Sequence, residues 1–442
     1  MTIRFALAFA LVVSLAGCNS MLDQNPVDQL PDTDAITNAQ GARAALVGAY
    51  NALEDSRYYG EDFVELGDLS ADNADNTGTS QAYDDADANQ LRADNASAQR
   101  IWNGIYEAIN RVNIILDRVP AVTDLDDTEK NEILGEAHFL RALHYHNLVK
   151  LYSDVPIRLT PVQDVNEAGA AVRSPVADVY AQILADLGEA GTLITATAPT
   201  TQATLDAVAA LTARVQLYRQ DYAAAVAAAD VVIPNHSLAP AYSDLFDAEG
   251  QDTEEDIFKV TFTAVQFNWL GFDYITETLD GGGGVLAPSQ SIIDAYDPAD
   301  ERLAWNITLD DDGAPSGTKW PTTAGAEDLH VIRLAEVLLI KAEGLARQND
   351  LSGAVDAYNP IRVRAGLAPH VLGVDVTSQA EVLAEIDTER RLELAFEGDR
   401  WPDLVRTGQA VPVLGIPESQ TLFPIPQAER DVAPGLTQNP GY

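Results

Sequence analysis

The stretch IWNGIYEAINRVNIILDRVP, residues 101 to 120, places Ile101, Ile105, Ile109, Val112, Leu116 and Val119 at steps of three and four. That spacing returns to one side of a 3.6-residue helix and to no side of a strand, so it dictates a helix with one apolar face, closed by Pro120. NEILGEAHFLRALHYHNLVKLYSDVP repeats the behaviour through Ala137, Leu140, His144, Leu148 and Leu151, and a third run over 175–187 carries Val176, Val179, Ile183 and Leu187. A chain written this way must bury helices against helices.

Two later stretches resemble each other. RQDYAAAVAAADVVI (219–233) aligns with RQNDLSGAVDAYNPI (347–361) once one residue is inserted, and each follows an apolar run. A helix, a tight turn with Asp and a second helix with small residues at the contact is the plan of a tetratricopeptide-like pair. The small residues let the two helices approach closely. The spacing is irregular, so a helical scaffold is expected and not a uniform array. It should lie mainly in 38–56, 101–235 and 331–408. Loop-rich stretches fill 57–100, 236–330 and 409–442. The first holds RYYGEDFVELGDLSADNADNTGTSQAYDDADANQ (57–90), dense in Asp, Asn, Gly and Thr and expected to be largely turns. The second holds GGGG at 281–284, read as a flexible loop, and three of the five tryptophans, Trp269, Trp305 and Trp320.

Charge excludes one class of partner. The 68 acids against 27 Lys plus Arg leave a net charge of −41, which repels phosphate backbones and argues against nucleic acid. Of those cations 22 are Arg and 5 are Lys, and a carboxylate-rich, Lys-poor surface reads as adaptation to a salty medium, where screening relieves self-repulsion. A single cysteine, Cys18, rules out an intramolecular disulfide. It follows Arg4, the apolar run FALAFALVVSL (5–15) and the small residues Ala16 and Gly17. The order is that of a signal peptide over 1–17, too short in its apolar part to span a bilayer. Leu15-Ala16-Gly17-Cys18 further resembles a bacterial lipobox. Lipidation of Cys18 would tether the mature chain, 18–442, since each buried acyl CH₂ contributes about 0.8 kcal/mol.

ERRLELAFEGDRWPDLVRTG (389–408) and LFPIPQAERDVAPGLTQNPGY (422–442) together resemble the C-terminal signature of the SusD/RagB family of bacterial surface lipoproteins. SMLDQNP after the cysteine, IWNGIYEAINRVNIIL, GEAHFLRALHYHNLVKLYSDVP, RLAEVLLIKAEGLA and YNPIRVRAGL agree in order, so the resemblance spans essentially the whole mature chain. It implies a mostly α, SusD-like fold: four tetratricopeptide-like helix pairs on one side and a loop-rich half that carries the ligand site, intertwined in a single domain over 18–442. It also implies an outward-facing lipoprotein of the outer membrane that sits over a SusC-like TonB-dependent transporter. Such proteins capture oligosaccharides, or in some members oligopeptides, and pass them on without catalysis. A scaffold that only gates the transporter is a further reading.

The ligand residues carry no fixed motif and are argued from chemistry. A pyranose ring offers an apolar C–H face and a rim of hydroxyls, so its site needs an aromatic platform flanked by amides or carboxylates. Tyr83 with Asn73 and Asn76, then Trp269, Phe272 and Tyr274 in FNWLGFDY, and Trp320 meet that description. Trp102 and Trp401, on helical faces, read as core. Glu397 and Asp399 in EGDRWPDLVR read as partners in internal ion pairs with Arg400 and Arg406 nearby, not as a catalytic dyad. His138, His144 and His146 lack the i, i+4 spacing of zinc ligands on a helix, and His144 reads as a hydrogen-bonded core residue. DLSADNADNTG lacks the acid spacing of a calcium loop. No nucleophile elbow, HExxH or phosphate loop occurs. Neither catalytic residues nor a metal or cofactor is therefore expected.

Overall fold

The computed structural model describes residues 36–162, 169–247 and 252–442. The signal segment, Cys18 and SMLDQNP lie outside them. The first helix among the described residues, α1 (Ala39–Tyr50), begins where the Asn38 side chain accepts from the amide of Gly41. Two short helices follow, α2 (Asp62–Leu69) and α3 (Gln81–Asp87), with strand β1 (Ala74–Asn76) between them.

The two longest helices are those dictated by periodicity. α4 (Ala96–Arg118) is capped by Asn95 and buries Ile101, Ile105, Ile109 and Val112, with Pro120 in the 3₁₀ turn that ends it. The stripe then runs through Ile115, and Leu116 is only half-buried, because a straight helix drifts round its axis over six turns. α5 (Asp127–Tyr152) differs more from its sequence reading. From Phe139 to Tyr152 every residue is buried, not one face alone. His144 bonds Tyr58, Asn147 donates to Tyr58 and Tyr59, and Lys150 lies over the Phe63 ring. The helix runs through the middle of the molecule, with α6 (Val176–Leu193) packed on it. His138 reaches Asp186 at 2.7 Å, whereas His146 has no hydrogen-bond partner and packs on Tyr218.

The repeated stretches form matching helical hairpins: α7 (Leu205–Tyr218) with α8 (Tyr222–Val232), and later α10 (Leu334–Arg347) with α11 (Leu351–Arg364). α8 packs on α10 and joins the two hairpins. The approach is close because Gly344 faces it: a Cβ there would stand 2.7 Å from Val226 Cγ2. α12 (Gln379–Glu393) and α13 (Arg400–Arg406) complete the helical side. No described helix is long and apolar enough to cross a membrane.

The loop-rich stretches are more ordered than their composition suggests. In 57–90, read as mostly turns, α2 forms with all eight residues buried, since Phe63, Val64, Leu66 and Leu69 recur at helical spacing between acids that are themselves paired inside. The 236–330 region holds α9 (Leu270–Tyr274) and strands β2 (Asp256–Val260), β3 (Leu286–Pro288), β4 (Ile307–Leu309) and β5 (Pro315–Gly317), with β6 (Leu329–Arg333) at its end. Three antiparallel pairs result, β1–β3, β2–β6 and β4–β5. The first stitches one loop-rich region to the other. The C-terminal segment returns to α5, where Asn439 donates to the carbonyls of Tyr152 and Phe423. Buried apolar residues form one cluster from Ile36 to Leu436.

The acids of EGDRWPDLVR are structural, as their arginine neighbours suggest. Glu397 pairs with Lys319 and Arg333, Arg400 with Asp72, and Arg406 with Glu343 and Asp403. Trp102 and Trp401 are buried.

Candidate functional site

Of the five tryptophans only Trp269 is exposed, at 37% of its surface. It stands at the mouth of α9, its amide tied to the carbonyl of Gly60 at 2.9 Å. Two rings brace it: Phe267, with centroids 4.7 Å apart, and Phe272, edge-on at 5.7 Å. Each brace is seated on glycine. A Cβ on Gly325 would come within 2.5 Å of the Phe267 ring, and one on Gly283 within 2.8 Å of Phe272 Cε1. GGGG is therefore a fitted bed and not a slack loop. The amides of Gly283 and Gly284 bond the carbonyls of Phe272 and Ile275. Between the two rings, buried Asn268 pins the segment by donating to the Glu327 carbonyl and accepting from the amide of Leu270.

One helical turn from Trp269, Asp273 lines a cavity of about 470 Å³ together with Glu61, Asp62, Thr79, Ser80, Tyr83 and Arg100. Tyr83 donates to the carboxylate of Glu65 beneath it, and Arg100 donates to Asp62 and Glu61. Burial, then the charge of Asp62, pushes Glu61 up to about 7. Burial pushes Asp273 up to about 6. Glu65, fully buried with Asp273 and Glu61 beside it, is held well above the carboxylate range. An aromatic platform next to a polar, partly protonated cavity can stack the C–H face of a sugar and bond its hydroxyls with both donors and acceptors.

The other expected contacts fall elsewhere. Asn73 is buried and spans Asp68 and Arg391. Tyr274 is 1% exposed, with its ring on Phe396, and Trp320 is 1% exposed, edge-on to Phe246. These three present no face to a ligand and are core residues, a correction to the sequence reading. Asn76 is half-buried, with its side chain engaged by Asp84 and the Gly78 amide. Tyr83 lines the cavity, and Trp269 and Phe272 make the platform. Phe267, Glu61, Glu65 and Asp273 were not singled out by sequence. Phe267 had a signal in the i, i+2 aromatic pair with Trp269, and Asp273 one in its i+4 spacing from it. In a second cavity, of about 260 Å³ beside Trp102 and Tyr106, part of the polar lining is already engaged: Tyr106 donates to the Pro156 carbonyl and Asn113 to that of Arg158.

Comparison with known proteins agrees with this architecture. Residues 21–217 match a SusD-like family model described as starch-binding associating with outer membrane, and residues 310–412 match the SusD family model. SusD-like protein P2 of Formosa agariphila is 29% identical over 98% of both chains. A SusD superfamily structure from Bacteroides vulgatus superposes with a TM-score of 0.82 at 21% identity, covering 91% of this chain and 99% of that one. A laminarin-binding SusD-like protein superposes with a TM-score of 0.79 at 24% identity, covering 92% and 100%. With two models of one family matching in order, and helical hairpins of the same plan in the structure, the chain belongs to the SusD/RagB family.

Proposed function

We propose that this protein captures oligosaccharides at the Trp269 platform and hands them to a SusC-like TonB-dependent transporter, while tethered outward on the outer membrane through lipidated Cys18 as one domain over 18–442. The observation that carries the reading is the braced, exposed indole beside a polar cavity. A face held open by two glycine-seated rings costs little ordering entropy on binding, the condition under which a weak stacking contact becomes usable affinity. The family model's description and the laminarin-binding neighbour support a glucan as ligand. Binding without turnover is part of the proposal.

Titration of laminari- and malto-oligosaccharides against intrinsic fluorescence tests it, because the exposed indole dominates the response. Saturable quenching is expected, with at least about a tenfold loss of affinity in Trp269→Ala at unchanged melting temperature. Saturation by oligopeptides with silence towards glycans would replace the ligand class, and release of reducing ends would overturn binding without catalysis. For the tether, Cys18→Ala protein should keep its glycan affinity and leave the membrane fraction; continued membrane partition would refute it.

A further inference from the structure

The floor of the cavity beside Trp269 is short of hydrogen-bond donors. Glu61, Glu65 and Asp273 each bring a carboxylate oxygen towards one point, the three atoms lying within 4.8 Å of one another. Glu65 is fully buried. Its Oε2 accepts from Tyr83, while Oε1 has no donor at all. Arg100 lies on the solvent side, 44% exposed, and donates to Asp62 and to Glu61 Oε2. A buried carboxylate oxygen facing other carboxylates is satisfied either by a shared proton or by a cation between them, because each unpaired acceptor otherwise bears its full desolvation cost.

Size and donor type say which charge fits. Oxygens on opposite sides of Ca²⁺, each at 2.3–2.6 Å, lie up to about 5 Å apart, and those across Mg²⁺ only about 4.2 Å apart. Three oxygens within 4.8 Å of one another fit inside the span of either shell, and the adaptable geometry of the larger ion suits ligands drawn from two separate helices. All three donors are hard carboxylate oxygens, which favours calcium over zinc or copper. The cavity offers room for the waters and hydroxyl donors, among them Thr79 and Ser80, that would complete six to eight ligands. We propose that Glu61, Glu65 and Asp273 hold a calcium-class divalent cation at the base of this cavity. Two of the three acids of DLSADNADNTG are engaged elsewhere: Asp68 accepts from Asn73 and the Gly398 amide, and Asp72 is paired with Arg391 and Arg400, while Asp75 stands exposed.

The cation alone is the probe, so the test does not depend on the glycan reading. The whole protein is titrated with CaCl₂ by calorimetry at about 0.5 M NaCl, which suppresses diffuse binding to the acidic surface. A parallel titration uses Tb³⁺, with excitation through the nearby indole of Trp269. One saturable site is expected, with Tb³⁺ emission displaced by Ca²⁺. Glu65→Gln and Asp273→Asn should each lose at least about tenfold in affinity, and Asp94→Asn, an exposed acid in a pair with Arg92, should lose nothing. Should Glu65→Gln fail to fold, Glu61→Gln at the rim carries the same requirement. Absence of a saturable site in the unmodified protein overturns the proposal, as does affinity left within about twofold by the cavity variants. A proton shared by Glu65 and Asp273 is then the occupant.

Discussion

Gly283 and Gly325 contribute to the aromatic platform by what they lack. Each leaves a space that a phenyl ring fills, and the rings in turn hold Trp269 upright. Gly325→Ala would meet both the Phe267 ring and a backbone at φ +65°, so it should cost roughly 2–4 kcal/mol of stability and weaken glycan binding. Gly283→Ala meets only the edge of Phe272 and should shift the platform at a lower cost, about 1–2 kcal/mol. Gly281, at φ +69° with open space around it, is the control: Gly281→Ala should cost about 1 kcal/mol and leave affinity unchanged. Thermal unfolding with the fluorescence titration separates the three. At this scale the sequence was informative about residue type and silent about exposure. Trp269 and Trp320 both sit in a Gly- and Pro-rich region, and nothing in their flanks says that one faces solvent and the other Phe246. Glu61, Glu65 and Asp273 were hidden among 68 acids, because their meaning lies in a convergence that only folding creates.

The element most legible in the sequence was the helical hairpin, down to the chemistry of its turn. In the first hairpin the Asp221 amide bonds the Gln216 carbonyl and the Gln220 amide that of Leu217. In the second, Asp350 bonds Leu345 and Asn349 bonds Ala346. The Asp that closes one helix also caps the next, accepting from Ala224 or Gly353. The residue before it is left-handed in both, Gln220 at φ 61° and Asn349 at φ 66°. Gln bears that conformation at a cost that Asn largely avoids. Gln220→Gly should therefore stabilise by about 0.5–1 kcal/mol and Asn349→Gly by less, while Asp221→Ala should destabilise by about 1 kcal/mol. Chemical denaturation would check the order of the three. Elements under about eight residues were not legible. α2 is helical because its apolar residues find a core, not because eight residues support a helix alone, and strands such as β1 exist only through partners far along the chain.

For the whole molecule, the outside is rich in carboxylates and nearly without lysine. Lys150, Lys259 and Lys319 are buried, and none of the five lysines is fully exposed. Many arginines are inside as well: Arg302, Arg333 and Arg364 join Lys319 in a buried network with Asp300, Glu255, Glu389, Glu393 and Glu397. The surface is thus poor in lysine, as composition suggests, while part of the arginine sits inside, where planar forks satisfy several carboxylates at once. The unpaired acids that remain repel one another across the surface, and salt screens them but not the buried network. Raising NaCl from about 0.1 to about 1 M should lift the melting temperature by roughly 5 °C or more, and NaCl and KCl should do so alike. A flat or falling melting curve would contradict it. The β1–β3 pair, which aligns Ala74 with Pro288, has a temporal consequence. Together with the bonds from Arg391 to Asn73 and from the Gly398 amide to Asp68, it closes long loops of the fold around the loop-rich half. Such contacts carry their entropy cost before any return, so the helical hairpins form early and the cavity is among the last parts to assemble. The cavity beside Trp269 therefore cannot close until residues near 400 are free to fold, so its completion waits on nearly the whole chain.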